Sequence, residues 1–215
     1  MKKLLIPLLC CLTFAWSCKL EGNYSAQNVW DIVTITDHQL VNDNGVRYTI
    51  SRTVSKVPDL EEGGRYYMEF DILNSDYEIT LRSVTPVDIV VATSTGETGG
   101  ISAHDPVIVK FNWIGPKYMD LAFNYYYDEK SNCAHNVFAC YSLDIDPSDN
   151  KPVLNLFLFH DGNDENPSAM SESDLKLATR IISIPLDQGK FDAVTLTLNI
   201  LSEDNKVESK TYSTK

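Results

Sequence analysis

Val29-Trp30-Asp31-Ile32-Val33-Thr34-Ile35-Thr36 is the stretch that decides the fold. Most of its residues are β-branched or aromatic, and they alternate with the period of two that a half-buried β-strand requires. The following segment, Asn42-Asp43-Asn44-Gly45, consists of residues that tolerate a positive φ, and Val46 to Ile50 then returns to a strand-like composition. Together these segments predict a β-hairpin.

The same periodicity continues towards the C terminus. Arg65 to Leu73, Tyr77 to Arg82 and Val84 to Ala92 each read as an extended segment, with turn residues between them. Five short strands within residues 28–92 predict a small β-barrel domain.

Residues 93–106 differ in composition, with three glycines, small polar residues and a proline. Such a stretch buries little apolar surface, so it predicts a linker between two domains. Seven further strands follow within residues 107–215, which is the size and spacing of an antiparallel β-sandwich. The predicted strands are residues 107–113, 118–127, 136–145, 153–159, 177–186, 194–201 and 206–212.

The N terminus carries an export signal. Lys2 and Lys3 precede an apolar run that is too short for a permanent membrane helix, and Ala15-Trp16-Ser17 leads directly into Cys18. Residues 1–17 are therefore predicted to be a signal peptide, Cys18 a lipidation site, and residues 18–27 a tether. Ala15 and Ser17 also suit an ordinary signal peptidase, which would release a protein that starts with an unmodified Cys18.

The net charge bears on the partners. The formal charge is -12, and removal of Lys2 and Lys3 with the signal makes it -14. A domain this acidic does not have the positively charged surface that binds nucleic acid, so we expect no nucleic-acid partner. The acyl chains on Cys18 would instead attach the protein to a membrane.

Several blocks carry a family resemblance. The sequence resembles the NigD-like lipoproteins of Gram-negative gut and oral anaerobes in its signal and Cys18, in its aromatic-rich first domain and in several short blocks of the second domain. These blocks are Asp105-Pro106-Val107, Trp113-Ile114-Gly115, Tyr118 to Phe123, His135 to Leu143 and Leu154 to Asp161. The resemblance implies an N-terminal OB-like barrel and a C-terminal β-sandwich. The family is named for a bacteriocin locus, and it supplies no catalytic residue to transfer.

Motifs for catalysis or metal binding are missing. The sequence has no His-Glu-x-x-His, no Gly-x-Ser-x-Gly and no EF-hand register, so we expect no cofactor, no metal and no catalytic residues. Cys133 and Cys140 could pair only if Cys133 folds back in a turn, and a buried, free Cys140 is the alternative.

The remaining candidate is a binding surface made of Tyr125, Tyr126, Tyr127, His160 and Asp161. Aromatic rings can stack on a sugar or a partner protein, but they also fill sandwich cores. We therefore expect a non-enzymatic envelope lipoprotein that binds or interacts with a partner protein. Its expected location is the outer membrane, facing either the periplasm or the cell surface. A glycan-binding lipoprotein or a carbohydrate-active hydrolase is the alternative, which an exposed aromatic platform beside a carboxylate-lined cleft would favour. Immunity to a bacteriocin is a third possibility.

Overall fold

A computed structural model describes residues 25–95, 105–130, 134–162, 175–186, 191–202 and 206–214. The predicted signal, Cys18, most of the tether and Cys133 lie outside these residues, whereas Cys140 is buried and free. The described part of the chain is all-β, as predicted. None of its segments is a helix with the length and apolar composition needed to cross a bilayer.

The first unit is a closed five-stranded barrel with the strand order β1-β2-β3-β5-β4. All its neighbouring strands are antiparallel except β3 and β5, which are parallel. This order, with its single parallel pair, is that of an OB-like barrel, so the predicted fold of this unit is confirmed. The strands are β1 (Ala26–Thr36), β2 (Gln39–Asn42), β3 (Arg47–Thr53), β4 (Arg65–Ile72) and β5 (Glu78–Pro86).

Strand β2 was not predicted, because the turn before it carries no glycine. Asp37 and His38 both adopt a positive φ, of 52° and 60°, and they connect β1 to β2 as a two-residue turn. The carboxylate of Glu62 accepts hydrogen bonds from both of their backbone N–H groups, at 2.8 and 3.0 Å. A distant side chain thus supplies the support that a local Asn-Gly would otherwise provide.

The second unit is a β-sandwich. One sheet has five strands in the order β14-β13-β11-β10-β7 and the other has four in the order β6-β12-β9-β8. Most pairs are antiparallel, but β7 with β10, β11 with β13 and β6 with β12 are parallel. The strands are β6 (Asp88–Ile89), β7 (Thr93–Ser94), β8 (Ile108–Ile114), β9 (Tyr118–Asp128), β10 (Asn136–Ile145), β11 (Pro152–Asp161), β12 (Leu175–Pro185), β13 (Ala193–Leu201) and β14 (Val207–Ser213).

The segment between the two units differs from the sequence prediction. The predicted fifth barrel strand, residues 84–92, divides at Pro86, where β5 ends, and β6 joins the sandwich. The predicted linker, residues 93–106, begins with β7, which also pairs within the sandwich. These strands have two residues each, too short for a periodic pattern to reveal which sheet they join.

The two units pack directly against each other. The inner face of β1 contributes Val33 and Ile35 to the barrel core, whereas Ile32 points outward into a separate apolar cluster. That cluster joins Ile32 to Val87, Ala122 and Ile181, with Tyr67 and Phe111 at its edge. The barrel therefore covers the outer face of the four-stranded sheet, and the junction has its own small core.

Candidate binding cleft at the domain junction

A cleft opens beside this junction. Its volume is about 240 Å³, and both units contribute to its walls. The barrel supplies residues from β1, β2 and the β2–β3 turn, while the sandwich supplies one residue each from β8 and β9. The lining residues are Trp30, Asp31, Ile32, Asn42, Asp43, Asn44, Trp113 and Asp120.

Two tryptophans flank the cleft, one from each unit. The sequence has three tryptophans, and the two that follow the predicted signal, Trp30 and Trp113, both line the cleft. Trp30 is 47% exposed and Trp113 is 56% exposed. Trp30 stacks on Phe111 and Tyr67, with ring centroids 5.1 and 5.9 Å apart, so its position is fixed by the junction. Each indole still offers a large accessible surface, which is unusual for a side chain of this size.

The base of the cleft rests on a buried arginine, Arg65, at the start of β4. Its guanidinium donates to both carboxylate oxygens of Asp43, at 2.8 Å each, and to both oxygens of Asp120, at 3.0 and 2.9 Å. Its Nε donates to the hydroxyl of Ser183 at 2.7 Å, and that hydroxyl in turn donates to Asp120. One barrel cation thus binds a carboxylate from its own unit and a carboxylate–hydroxyl pair from the sandwich.

Two further contacts hold the guanidinium plane. Arg65 donates to the Thr34 hydroxyl at 3.1 Å, and the two residues are cross-strand partners on the outward face of β1 and β4. Tyr118 places its ring 3.8 Å from the guanidinium carbon, a cation–π contact from the sandwich side. The Arg65 side chain is fully excluded from water, so its donors depend on these partners.

The pKa values of Arg65 and Asp120 reflect two opposing effects, which are burial and the attraction between the two opposite charges. Burial alone would lower the pKa of Arg65, but Asp43 and Asp120 outweigh it and raise that pKa above its ordinary value. Burial raises the pKa of Asp120, against the opposing effects of Arg65 and Ser183. The cation is therefore permanent, and it compensates carboxylates that the fold has taken out of water.

Asp31 is fixed by a second set of contacts on the barrel side. Its carboxylate accepts hydrogen bonds from the Tyr48 hydroxyl at 2.7 Å and from the Asn42 amide at 2.8 Å. Burial, and then Asp31 itself, raise the pKa of Tyr48, so this hydroxyl keeps its proton and stays a donor. The Asn42 side-chain oxygen accepts from the backbone N–H groups of Asn44 and Val46, which orders the turn at the rim of the cleft.

Gly115 allows the two units to approach closely. A Cβ at this position would lie 3.2 Å from Nε1 of Trp113 and 3.3 Å from a carboxylate oxygen of Asp43. Those distances are tighter than ordinary contacts, so a side chain here would push the β2–β3 turn away from Trp113. The missing side chain therefore lets the barrel turn reach the sandwich strand.

The sequence-predicted surface is divided by the structure. Tyr125 and Tyr127 lie with His160 at one end of the sandwich, where Tyr125 packs on the sandwich core. Strand alternation points Tyr126 and Asp161 to the opposite faces of their sheets. The role of these five residues as a binding surface stays a prediction.

His135, which was not in the predicted set, completes this cluster. Its ring stacks on His160 with an interplanar angle of 15°, and the two imidazoles are joined by a nitrogen-to-nitrogen distance of 3.1 Å. Tyr125 covers both rings, with centroids 4.5 and 4.9 Å away. Burial, followed by the charge of His135, lowers the pKa of His160 to about 4. No group of three His, Cys, Asp or Glu side chains in the described ranges could hold a metal ion.

The sequence pattern does not predict the junction cleft. By sequence, Trp30 is one aromatic residue of a predicted strand, and Trp113-Ile114-Gly115 is one block of the family pattern. Arg65 appeared as the first residue of a strand. The available signal was a charged residue beginning a strongly apolar strand, since a buried arginine requires partners.

A protein-family model described as the NigD-like C-terminal beta sandwich domain matches residues 89–213, more than half of the chain. The start of the match, at residue 89, coincides with the end of β6, the first strand that pairs within the sandwich. No curated protein matches the sequence.

Three solved structures share the fold of both units. A protein of unknown function from Bacteroides vulgatus is 17% identical with a TM-score of 0.65, and the match covers 88% of this chain and 90% of that one. A NigD-like immunity protein from Bacteroides caccae is 16% identical with a TM-score of 0.57, covering 90% and 98%. A candidate lipoprotein from Bacteroides fragilis is 14% identical with a TM-score of 0.56, covering 87% and 96%. Identities this low show the common fold alone.

The histidine cluster makes a pH-dependent contribution to stability. Because the folded pKa of His160, about 4, lies below the ordinary 6.5, the unfolded chain binds the extra proton first. The stability that neutral His160 contributes to the folded state is fully present above the unfolded-state pKa of 6.5. It is lost as the pH falls towards the folded-state pKa of about 4. Relative to His160→Phe, we expect the wild type to lose roughly 2 kcal/mol of unfolding free energy between neutral pH and about pH 4.

Urea denaturation at a series of pH values measures this difference. The control is His38→Asn, which removes a histidine whose side chain is almost wholly exposed and keeps a residue that tolerates the positive φ. Its profile should parallel that of the wild type. If the pH profile of His160→Phe also parallels that of the wild type, His160 is not the source of the pH-dependent stability.

Proposed function

The chain belongs to the NigD-like family, and on that premise we propose that it is a lipid-anchored cell-envelope protein that binds a ligand, without transforming it, in the junction cleft. One observation carries the proposal. The two tryptophans that follow the predicted signal flank a single cleft between two units that a buried Arg65 network holds together. Large exposed aromatic rings beside a concave surface are typical of recognition sites.

The engagement of the carboxylates supports binding over hydrolysis. A glycosidase of the common type needs two carboxylates that can act as acid and as base or nucleophile. Here Asp43 and Asp120 share Arg65, and Asp31 is held by Tyr48 and Asn42. Three acids tied into structural hydrogen bonds suit a shaped recognition surface better than proton transfer.

The proposed location rests on the N terminus. Cys18 follows a signal-like segment, and acyl chains on it would attach the protein to the outer membrane. The candidate lipoprotein of Bacteroides fragilis, which shares the fold, is consistent with an envelope location. Such an anchor would hold the junction cleft near the membrane, where envelope or extracellular ligands are present.

Immunity to a bacteriocin is a second proposal, supported by the name of the Bacteroides caccae protein. An immunity role and a general binding role would both use a recognition surface. They differ in consequence, because only immunity predicts that loss of the protein sensitises its own cell to a bacteriocin.

Crosslinking in cells tests whether the cleft is the binding surface. A photo-reactive amino acid in place of Asn44, at the exposed rim of the cleft, should form an adduct that intact-protein mass spectrometry detects. The matched control replaces Asn136, an exposed asparagine at the start of β10. Adducts of equal yield at both positions, or none at position 44, would refute the proposed binding surface.

Membrane fractionation tests the anchor separately. Cys18→Ala removes the only thiol to which the acyl chains could be attached at this site, so the protein should move from the membrane to the soluble fraction. Cys140→Ala, which alters a buried free thiol in the sandwich, should stay in the membrane fraction. If Cys18→Ala also remains there, lipidation is not what holds the protein.

A further inference from the structure

We infer that the junction cleft binds a neutral carbohydrate, an inference that rests on the proposed binding function. A sugar has apolar C–H faces and a rim of hydroxyl groups. It therefore needs flat aromatic surface on one side and hydrogen-bonding oxygens on the other. Trp30 and Trp113 provide the first, and the acidic and amide side chains of the same cleft provide the second.

The aromatic contribution comes mainly from Trp113. More than half of this side chain is exposed, whereas Trp30 is partly covered by Phe111 and Tyr67. An indole that is accessible to water can exchange that water for the C–H face of a sugar ring, which buries apolar area on both partners. Trp113 therefore acts as the platform, and Trp30 is a second, partly covered aromatic residue of the same cleft.

The acceptors remain able to bind hydroxyl groups although they are already engaged. Each carboxylate oxygen of Asp43 accepts one hydrogen bond from Arg65, and a carboxylate oxygen has capacity for about two. Asp31 and Asp120 line the same cleft, and Asn44 lies at its rim. Because Arg65 fixes Asp43, whose carboxylate is less deeply buried than that of Asp120, the remaining lone pairs of Asp43 are preorganised, which reduces the entropy that binding would cost.

Charge selects a neutral ligand over a charged one. The chain carries a net charge of -12, and the residues that line the cleft include three acids and no basic residue, which disfavours anions. A strong cation site would need several carboxylates with free oxygens, yet Asp43 and Asp120 are both paired with Arg65. The Asp31 carboxylate already accepts hydrogen bonds from Tyr48 and Asn42. A polyhydroxylated neutral molecule gains hydrogen bonds here without requiring either kind of charge.

The size of the cleft points to recognition of a short segment. Its volume of about 240 Å³ is below the roughly 300–1,000 Å³ that is usual for drug-sized ligands. One sugar ring would occupy the cleft, while neighbouring rings of a longer chain extend outward past the exposed edge of Trp113. The cleft thus recognises one ring within an oligosaccharide.

Titration of defined oligosaccharides tests the inference on the full-length lipoprotein, kept in a detergent without a sugar headgroup. The neutral probes are the hexamers of β-1,4-xylose, β-1,4-mannose, β-1,4-glucose and β-1,3-glucose. A galacturonate hexamer and hexalysine serve as anionic and cationic probes. Since Trp30 and Trp113 both line the cleft, their emission reports binding directly, and calorimetry provides the affinity.

We expect at least one neutral hexamer to bind and to shift the tryptophan emission. Trp113→Ala should weaken that binding at least about tenfold, and Trp113→Phe, which keeps an aromatic face, should weaken it less. Phe138→Ala is the matched control, because Phe138 is an exposed aromatic residue on the other sheet and should leave the affinity unchanged. Circular dichroism of each variant confirms that the β-fold is retained.

Failure of all four neutral hexamers to bind overturns the carbohydrate inference. Binding of a neutral hexamer that Trp113→Ala leaves intact overturns it as well, because the contact then lies elsewhere. If only hexalysine or the galacturonate binds, and Trp113→Ala abolishes that binding, the binding function stands with a different ligand class. Crosslinking from position 44 decides the binding function independently of these probes.

Discussion

The interaction on which the arrangement of the two units depends is the pairing of Arg65 with Asp43 and Asp120. A guanidinium without access to water is costly unless its donors are satisfied, and here five N–H groups meet two carboxylates and two hydroxyls. Since those partners come from both units, the cost is offset only when barrel and sandwich are docked in one orientation. The same carboxylates line the cleft, so the contact that fixes the junction also shapes the binding surface.

Much of the fold follows from local pattern. The alternation along Val29 to Thr36 correctly predicts a strand, and in the structure its two faces serve different purposes. Val33 and Ile35 enter the barrel core. On the other face, Trp30 stacks on Phe111 of the sandwich, Ile32 packs in the small junction core, and Thr34 accepts a hydrogen bond from Arg65. Periodicity reveals that a strand has two faces, but a barrel strand that is apolar on both sides is explained only once the second unit is present.

The binding cleft could not be predicted in the same way, because its residues are brought together by tertiary contacts. Asp43 and Asp120 are separated by 77 positions in the sequence, and only the docking of the units places them on one guanidinium. Asp43 lies in a turn whose composition already accounts for its presence, so a local reading assigns it no further role. The predicted cluster around Tyr125 and His160 was suggested by adjacency along two strands, and its rings do meet, although largely within the sandwich.

The most direct test of a junction fixed by Arg65 is the distance distribution between spin labels on the two units, measured by pulsed electron paramagnetic resonance. Labels at Val54→Cys and Leu143→Cys, both exposed positions, with Cys133→Ser to limit side reactions, should give one narrow distance. Arg65→Lys keeps a cation but loses the forked pairing, so it should broaden the distribution, whereas Arg82→Lys at an exposed ion pair should not. A broad distribution in the otherwise unaltered protein, or one that Arg65→Lys leaves narrow, would contradict the account.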